Sequence, residues 1–332
     1  MIEGVIWAIT AGLMLGLYAL PEKFTKEYEF ENTWSLFFAI ATFIIPNIVA
    51  FSFVQGFTEI LSGLPSEILI RMIISSLLWG IGVMMWGKAI NHIGLSLGFS
   101  LFIGTIILVG SLIPFAVDGL PPTNVLLAIL SGIVIVLFGV IANGKAGLLR
   151  QRDEKSYKDG GSMILGIIIA VVGGLLATGF SYANTVGGPV ILEAVVNFGN
   201  PEWMSAIVVM YIIYVSGGVA IAVYFIWQLT KKRLWGRFIT PYFRHNLGLT
   251  TTMGIFNFSA SGLFSYAAFL LGSTGGTVGY AIFNTVSVAV AIISGLITRE
   301  WISASKQAKN MLYIGLVCMI IGIIVVAIGN GL

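Results

Sequence analysis

Charge is what this chain lacks most. Of its 332 residues, Asp, Glu, Lys and Arg make up 9%, beside two histidines and a single cysteine. Cys318 alone allows no internal disulfide and no thiolate-bound metal; it reads as a small packing residue. His92 and His245 have no Asp, Glu or Cys at ligand spacing, so no metal site and no cofactor are predicted. No Gly-rich loop ends in Lys-Ser or Lys-Thr, which excludes the motor of an ATP-driven pump. No acid, base and nucleophile converge anywhere along the chain, so it is not expected to be an enzyme.

What is present is apolar sequence in long runs. The chain is 58% hydrophobic with a mean hydropathy of +0.99, which leaves no room for a large water-soluble domain. A hydrocarbon core ~30 Å thick needs about 20 apolar residues per helix. Spans are predicted at 2–20, 33–54, 67–89, 94–117, 123–143, 161–183, 204–229, 247–271, 274–298 and 309–330. The first begins with Glu3 rather than Lys or Arg and closes on no small-x-small site, so it reads as a span and not as a cleaved signal.

The few basic residues are placed with order. Lys23 and Lys26 lie in or beside the first gap, Lys88 by the third, and Lys145, Arg150, Arg152, Lys155 and Lys158 in the fifth. Lys231, Lys232, Arg233, Arg237 and Arg244 lie in the seventh, and Arg299, Lys306 and Lys309 in the ninth. Of the 17 Lys and Arg only Arg71 falls elsewhere. The excess of positive charge predicts that the odd gaps face the cytoplasm of a cell membrane and that both termini lie outside it. The net charge of +3 then marks topology beside anionic lipid, not a nucleic-acid partner.

The chain also contains itself twice. GLSLGFSLF from Gly94 resembles GGTVGYAIF from Gly275, pairing Ser96 with Thr277, Gly98 with Gly279, Phe99 with Tyr280 and Phe102 with Phe283 at one constant offset. Gly12-Leu13 and Tyr18-Ala19 in span 1 match Gly174-Leu175 and Tyr182-Ala183 in span 6. Asn143-Gly144 closes span 5 as Asn330-Gly331 closes span 10. A repeat of five spans is odd, so the second copy enters the membrane inverted. The predicted fold is all-α and integral to the membrane, ten helices as a 5+5 inverted repeat: residues 1–143, a linker at 144–160, and residues 161–332. Inverted repeats are typical of secondary transporters, which bind cargo near the midplane between the copies. Residues 184–203, apolar between Gly and Pro, are predicted to form a short interfacial helix on the outer surface. Gly12/Gly16 and Gly94/Gly98 have the spacing of helix-packing faces.

The polar groups within the spans are neutral and large. Trp79, Trp86, Tyr182, Asn184, Tyr214, Asn257, Tyr280 and Asn284 are the candidate substrate contacts. Amides and phenols both donate and accept hydrogen bonds, as the hydroxyls of a desolvated sugar require, and Trp and Tyr rings can cover its C–H faces. Tyr280 and Asn284, four apart, share a helix face. The ordinary role for each is helix-to-helix bonding or an interface belt. Deep Lys or Arg, which a phosphorylated cargo would call for, are absent. No carboxylate sits at any midspan, so coupling to a proton rests on Glu31, at the cytoplasmic mouth of span 2, and Glu193, in the outer interfacial segment.

Several strings resemble the L-rhamnose/proton symporter family, a ten-span branch of the drug/metabolite transporter superfamily. They are Tyr18-Ala19 with Pro21 and Lys23, Glu31-Asn32-Thr33-Trp34-Ser35, Trp79-Gly80-Ile81-Gly82, Gly94-x-Ser96-x-Gly98, Ile103-Gly104 and Leu108-Val109-Gly110. Glu193-Ala194, His245-Asn246 and Glu300-Trp301 follow in order. After Trp79-Gly80-Ile81-Gly82 that family continues with Asn and Tyr, where this chain has Val83 to Trp86. The resemblance implies proton-coupled uptake of a neutral monosaccharide or deoxysugar such as L-rhamnose. Composition and spacing alone reach a secondary transporter, and leave open an exporter of drugs or metabolites and a membrane sensor that transports nothing.

Overall fold

The computed structural model describes residues 2–153, 163–297 and 301–329, and the regular elements among them are all helices. Nine stretches among the described residues are long and apolar enough to cross a bilayer. Their order follows the predicted spans, with 247–271 and 274–298 falling in one stretch, Phe243–Ile297.

α1 (Ile2–Leu17) ends in a tight 3-10 turn, Leu20–Phe24, that opens on a proline. α2 (Phe30–Ala39) starts with a reciprocal cap between Glu29 and Asn32, which satisfies two exposed backbone donors. It runs through a π turn, Ile40–Ile44, into α3 (Ile45–Phe53). The wider turn has a cause: Pro46 lacks an N–H and its ring crowds the carbonyl four residues earlier. The same device recurs at a second π turn, Ile106–Gly110, before α6 (Ser111–Asp118) and its internal Pro114. There the Gly110 carbonyl loses its helical donor, and the buried Ser181 hydroxyl donates to it at 2.7 Å.

α4 (Phe57–Gly63) is short. α5 has unbroken helical bonding over Ser66–Thr105, yet it is not one rod. The Trp86 and Phe102 rings stack with centroids 6.0 Å apart, whereas along a straight helix they would be separated by about 24 Å. The chain therefore doubles back between them, giving two legs. α7 (Thr123–Asp153) continues well past the predicted end of span 5, so the first ten residues of the expected linker are helical; residues 154–160 lie outside the described residues.

α8 (Met163–Ala177) and α9 (Gly179–Asn197) follow each other across a break at Thr178. This corrects the expected surface helix at 184–203. Residues 184–197 extend the sixth span, and Ile191 and Val195 are fully buried, so this segment packs into the bundle and does not lie on an interface. α10 (Met204–Lys231) precedes α11 (Phe243–Leu271). Gly272 then adopts a left-handed φ of 76°, a conformation open to glycine and strained for other residues. α12 (Gly275–Ile297) returns along α11, with the Phe264 and Phe283 rings 5.1 Å apart. α13 (Lys306–Gly329) closes the bundle.

The most extensive packing joins α7 to α13, then α5 to α8, α1 to α11 and α12, and α10 to α5. Without a hydrophobic drive between helices in lipid, such contacts rely on close backbone approach at small residues. A Cβ added to Gly132 would lie 2.9 Å from the Gly322 carbonyl, so α7 and α13 touch there backbone to backbone.

Candidate functional site

Four of the candidate residues meet at the centre of the bundle. The Tyr214 hydroxyl on α10 lies 2.8 Å from Asn257 Oδ1, 3.1 Å from the Asn257 carbonyl and 2.6 Å from Ser261 Oγ. One phenol carries one proton, so when Tyr214 donates to Asn257, Ser261 donates to Tyr214. Asn257 and Ser261 are one turn apart on α11, hence on one face. The Tyr214 ring is 5.4 Å from Trp79 on the first leg of α5, and Trp79 is 5.7 Å from Phe180 on α9. Phe180 stacks 6.3 Å from Tyr280 on α12, which also meets Phe264 edge-on at 5.5 Å. Small backbones let these rings in: a Cβ on Gly217 would fall 2.4 Å from the Trp79 ring, and one on Gly110 2.4 Å from Tyr280. The centre is closed, with Tyr214 and Tyr280 at 2% and 3% exposure.

The remaining candidates surround this knot without joining it. Asn284 is buried one turn beyond Tyr280 and donates to the Tyr280 carbonyl at 2.9 Å, while Ser287 donates to the Asn284 carbonyl. Asn184 accepts from Ser265 at 2.8 Å, joining α9 to α11. Trp86 packs on Phe102 in the α5 turn-back. Tyr182 lines a separate lateral cavity of about 410 Å³ with Arg71, Ser75 and Thr178. Phe180, Ser261 and Phe264 were not singled out from the sequence. Ser261 was discoverable as the residue one turn after Asn257; the two phenylalanines carry no polar signal.

The electrostatics are those of a neutral site. Besides the tyrosine phenols, the buried polar side chains among the described residues are Asn, Ser and Thr, with no Asp, Glu, Lys, Arg or His. No group of three His, Cys, Asp or Glu that could hold a metal occurs among the described residues. Arg71 pairs with Glu67, and Lys88 lies over the Tyr224 ring at 5.8 Å. Of the two carboxylates proposed for coupling, Glu193 is exposed. Glu31 has a 14% exposed side chain and forms an ion pair with Lys232. A third carboxylate, Glu22 in the turn after α1, accepts from the Trp34 indole at 2.6 Å.

Both ends of the bundle are sealed by contacts between its sequence halves. At the end bearing the basic loops, the Asn246 amide on α11 receives the Lys26 N–H at 3.0 Å and donates to the Lys26 carbonyl at 2.8 Å. Asn32 donates to the Leu234 carbonyl, His245 Nε2 is 3.1 Å from the Phe24 carbonyl, and Arg237 pairs with Glu29 at 3.3 Å. At the opposite end, Asn200 receives the Gln55 N–H at 2.8 Å and donates to the Gln55 carbonyl at 2.9 Å.

Comparison with known proteins gives one consistent result. A sequence model of the family described as L-rhamnose-proton symport protein matches residues 1–331. A curated protein of Escherichia coli (strain 55989 / EAEC) named L-rhamnose-proton symporter is 23% identical over 336 residues, covering 98% of this chain and 97% of its own. Proteins of the same name from Shigella dysenteriae serotype 1 (strain Sd197) and Shigella boydii serotype 18 (strain CDC 3083-94 / BS512) are 22% and 23% identical, each over 98% of this chain and 97% of its own. These relatives are named as transporters, not as enzymes.

Proposed function

We propose, because this chain belongs to the L-rhamnose-proton symport protein family over residues 1–331, that it carries a neutral monosaccharide or deoxysugar such as L-rhamnose together with a proton. The observation that carries the cargo reading is the uncharged knot of Tyr214, Asn257 and Ser261 under the Trp79 ring. It offers donors and acceptors for sugar hydroxyls and an aromatic face for C–H bonds, with no charge to select an ionised cargo. Trp79, Tyr214, Asn257 and Tyr280 are the binding residues in this reading, with Asn284 and Asn184 bracing them.

Alternating access between two inverted halves is the mechanism we adopt. The Phe243–Ile297 stretch reverses at Gly272, so nine apolar stretches supply ten crossings. The helix contacts fall in pairs related by a shift of five spans: α1 on α11 and α12 corresponds to α8 on the two legs of α5, and α2 on α11 to α10 on α5. The agreement reaches single residues. A Cβ on Gly12 would lie 2.9 Å from the Phe283 carbonyl and 2.6 Å from Val286 Cβ; one on Gly174 would lie 2.9 Å from the Phe102 carbonyl and 2.7 Å from Thr105 Cβ. The offset that aligns Gly98 with Gly279 also aligns Phe102 with Phe283 and Thr105 with Val286. This supports a repeat in which span 1 and span 6 grip equivalent partners.

The basic end faces the cytoplasm in this scheme, with both termini outside. Reporter domains at either terminus that fold only outside the cytoplasm should be active, and activity of cytoplasm-only reporters would reverse the orientation. Glu31 is the coupling carboxylate we favour, because its protonation would dissolve the ion pair with Lys232 that joins the two halves. The deciding experiment uses proteoliposomes and labelled L-rhamnose. An imposed inward proton gradient should drive accumulation above equilibrium, a protonophore should abolish it, and Glu31→Gln should retain exchange while ignoring the gradient. Wild-type uptake indifferent to the gradient would remove symport; no uptake across a panel of monosaccharides would remove the cargo class.

A further inference from the structure

The two seals at the ends of the bundle share one chemistry. At each, a single buried asparagine from the second half pairs with both backbone groups of one residue in a first-half loop. Asn246, fully buried, takes the N–H and carbonyl of Lys26; Asn200, 7% exposed, takes those of Gln55. A primary amide donates and accepts in one plane, so it can stand in for a peptide group facing another peptide. Breaking one such pair strands four polar atoms unless water reaches them.

Their places in the chain are related by the repeat. Lys26 lies in the gap between spans 1 and 2, and Asn246 where the gap between spans 7 and 8 runs into α11. Asn200 lies in the gap between spans 6 and 7, and Gln55 in the gap between spans 2 and 3, directly after α3. A shift of five spans carries the first pair of locations onto the second, at the opposite membrane face. The asparagine has changed sides of the contact; the two-point pairing has not.

We propose that Asn246 and Asn200 are the latches of the two gates, each holding its own face shut and each released when that face opens. The inference rests on the alternating-access reading above and adds which residues hold each gate. The surroundings of the two latches differ: the basic end is reinforced by Glu31 with Lys232 and Glu29 with Arg237, while at the other end the Asn200 amide, besides Gln55, donates to the Val195 carbonyl at 3.3 Å.

The test measures the gates separately, in a Cys318→Ser background reconstituted in lipid without sugar or gradient. One spin-label pair at Lys23 and Arg244 spans the basic end, and another at Thr58 and Asn197 spans the opposite end; all four positions are exposed. Asn246→Ala should raise the long-distance population of the first pair roughly tenfold and leave the second unchanged. Asn200→Ala should do the reverse. Asn246→Asp and Asn200→Asp, which keep the acceptor and lose the donor, should give intermediate shifts, and serve as the test if the alanine variants do not fold. Distances that stay fixed in the variants, or that lengthen at both ends together, would overturn the latches. Because no sugar is present, such a failure leaves the sugar and proton reading standing, and a failed uptake assay leaves the latches standing.

Discussion

Gly174→Val and Gly12→Val are each expected to reduce sugar uptake below one tenth of wild type and to lower the melting temperature. Each new Cβ would come within 2.9 Å of a carbonyl oxygen, of Phe102 in one case and of Phe283 in the other. A backbone carbonyl in a helix cannot turn aside as a side chain can, so the helices must part. Overpacking a core costs ~1–3 kcal/mol where side chains yield, and contact with backbone places these sites at the upper end. Gly188→Ala is the control: it lies within α9 with nothing inside 4 Å of the added carbon, and alanine favours a helix over glycine by up to ~1 kcal/mol. Thermal melts and initial uptake rates decide the matter. Damage at only one of the two glycines would mean that the contacts are not equivalent, and the repeat assignment would go with it.

The second large effect is expected from the central hydroxyl. Tyr214→Phe should weaken sugar binding at least tenfold and also lower stability. It deletes the atom that meets Asn257 Oδ1 and Ser261 Oγ together. Leaving a buried polar group unmatched costs ~1–3 kcal/mol, about one to two factors of ten in binding if the sugar uses the same partners. Trp79→Ala, which removes the ring 5.4 Å from Tyr214, should act in the same direction. Tyr313→Phe, half-exposed on α13, should leave binding unchanged. Titration calorimetry or a sugar-dependent melting shift reads all three. Full affinity in Tyr214→Phe would move the cargo site away from the knot.

The sequence made the helices and their order legible because long apolar runs have few other solutions. It also singled out Trp79, Tyr214, Asn257 and Tyr280, which the structure brings together, because a neutral amide or aromatic with a polar atom stands out in an apolar run. The misread segment at 184–197 carries Gly187, Gly188 and Pro189, which look like breakers. In the bundle Gly187 instead makes room for Met72 and the helix continues. Asn246 stood out only as part of the His245-Asn246 string and Asn200 not at all, and the pairing of either left no local trace. Their partners lie 220 and 145 residues away, and the pairing uses main-chain atoms that every residue possesses. Glu22 was passed over for a related reason, since its contact with Trp34 depends on how the turn after α1 folds back on α2.

The absence of Asp, Glu, Lys, Arg and His from the described buried interior has an electrical consequence. Moving one elementary charge through a membrane voltage is worth ~2.3 kcal/mol per 100 mV. In the alternating-access scheme proposed above, a carrier whose centre holds only amides, hydroxyls and rings, and whose Glu31 is paired with Lys232, would move no net charge when it returns empty. Voltage would then act on the loaded, inward leg alone, through the proton that accompanies the sugar. A sugar-independent transient current from the empty carrier would reveal an ion hidden in its path.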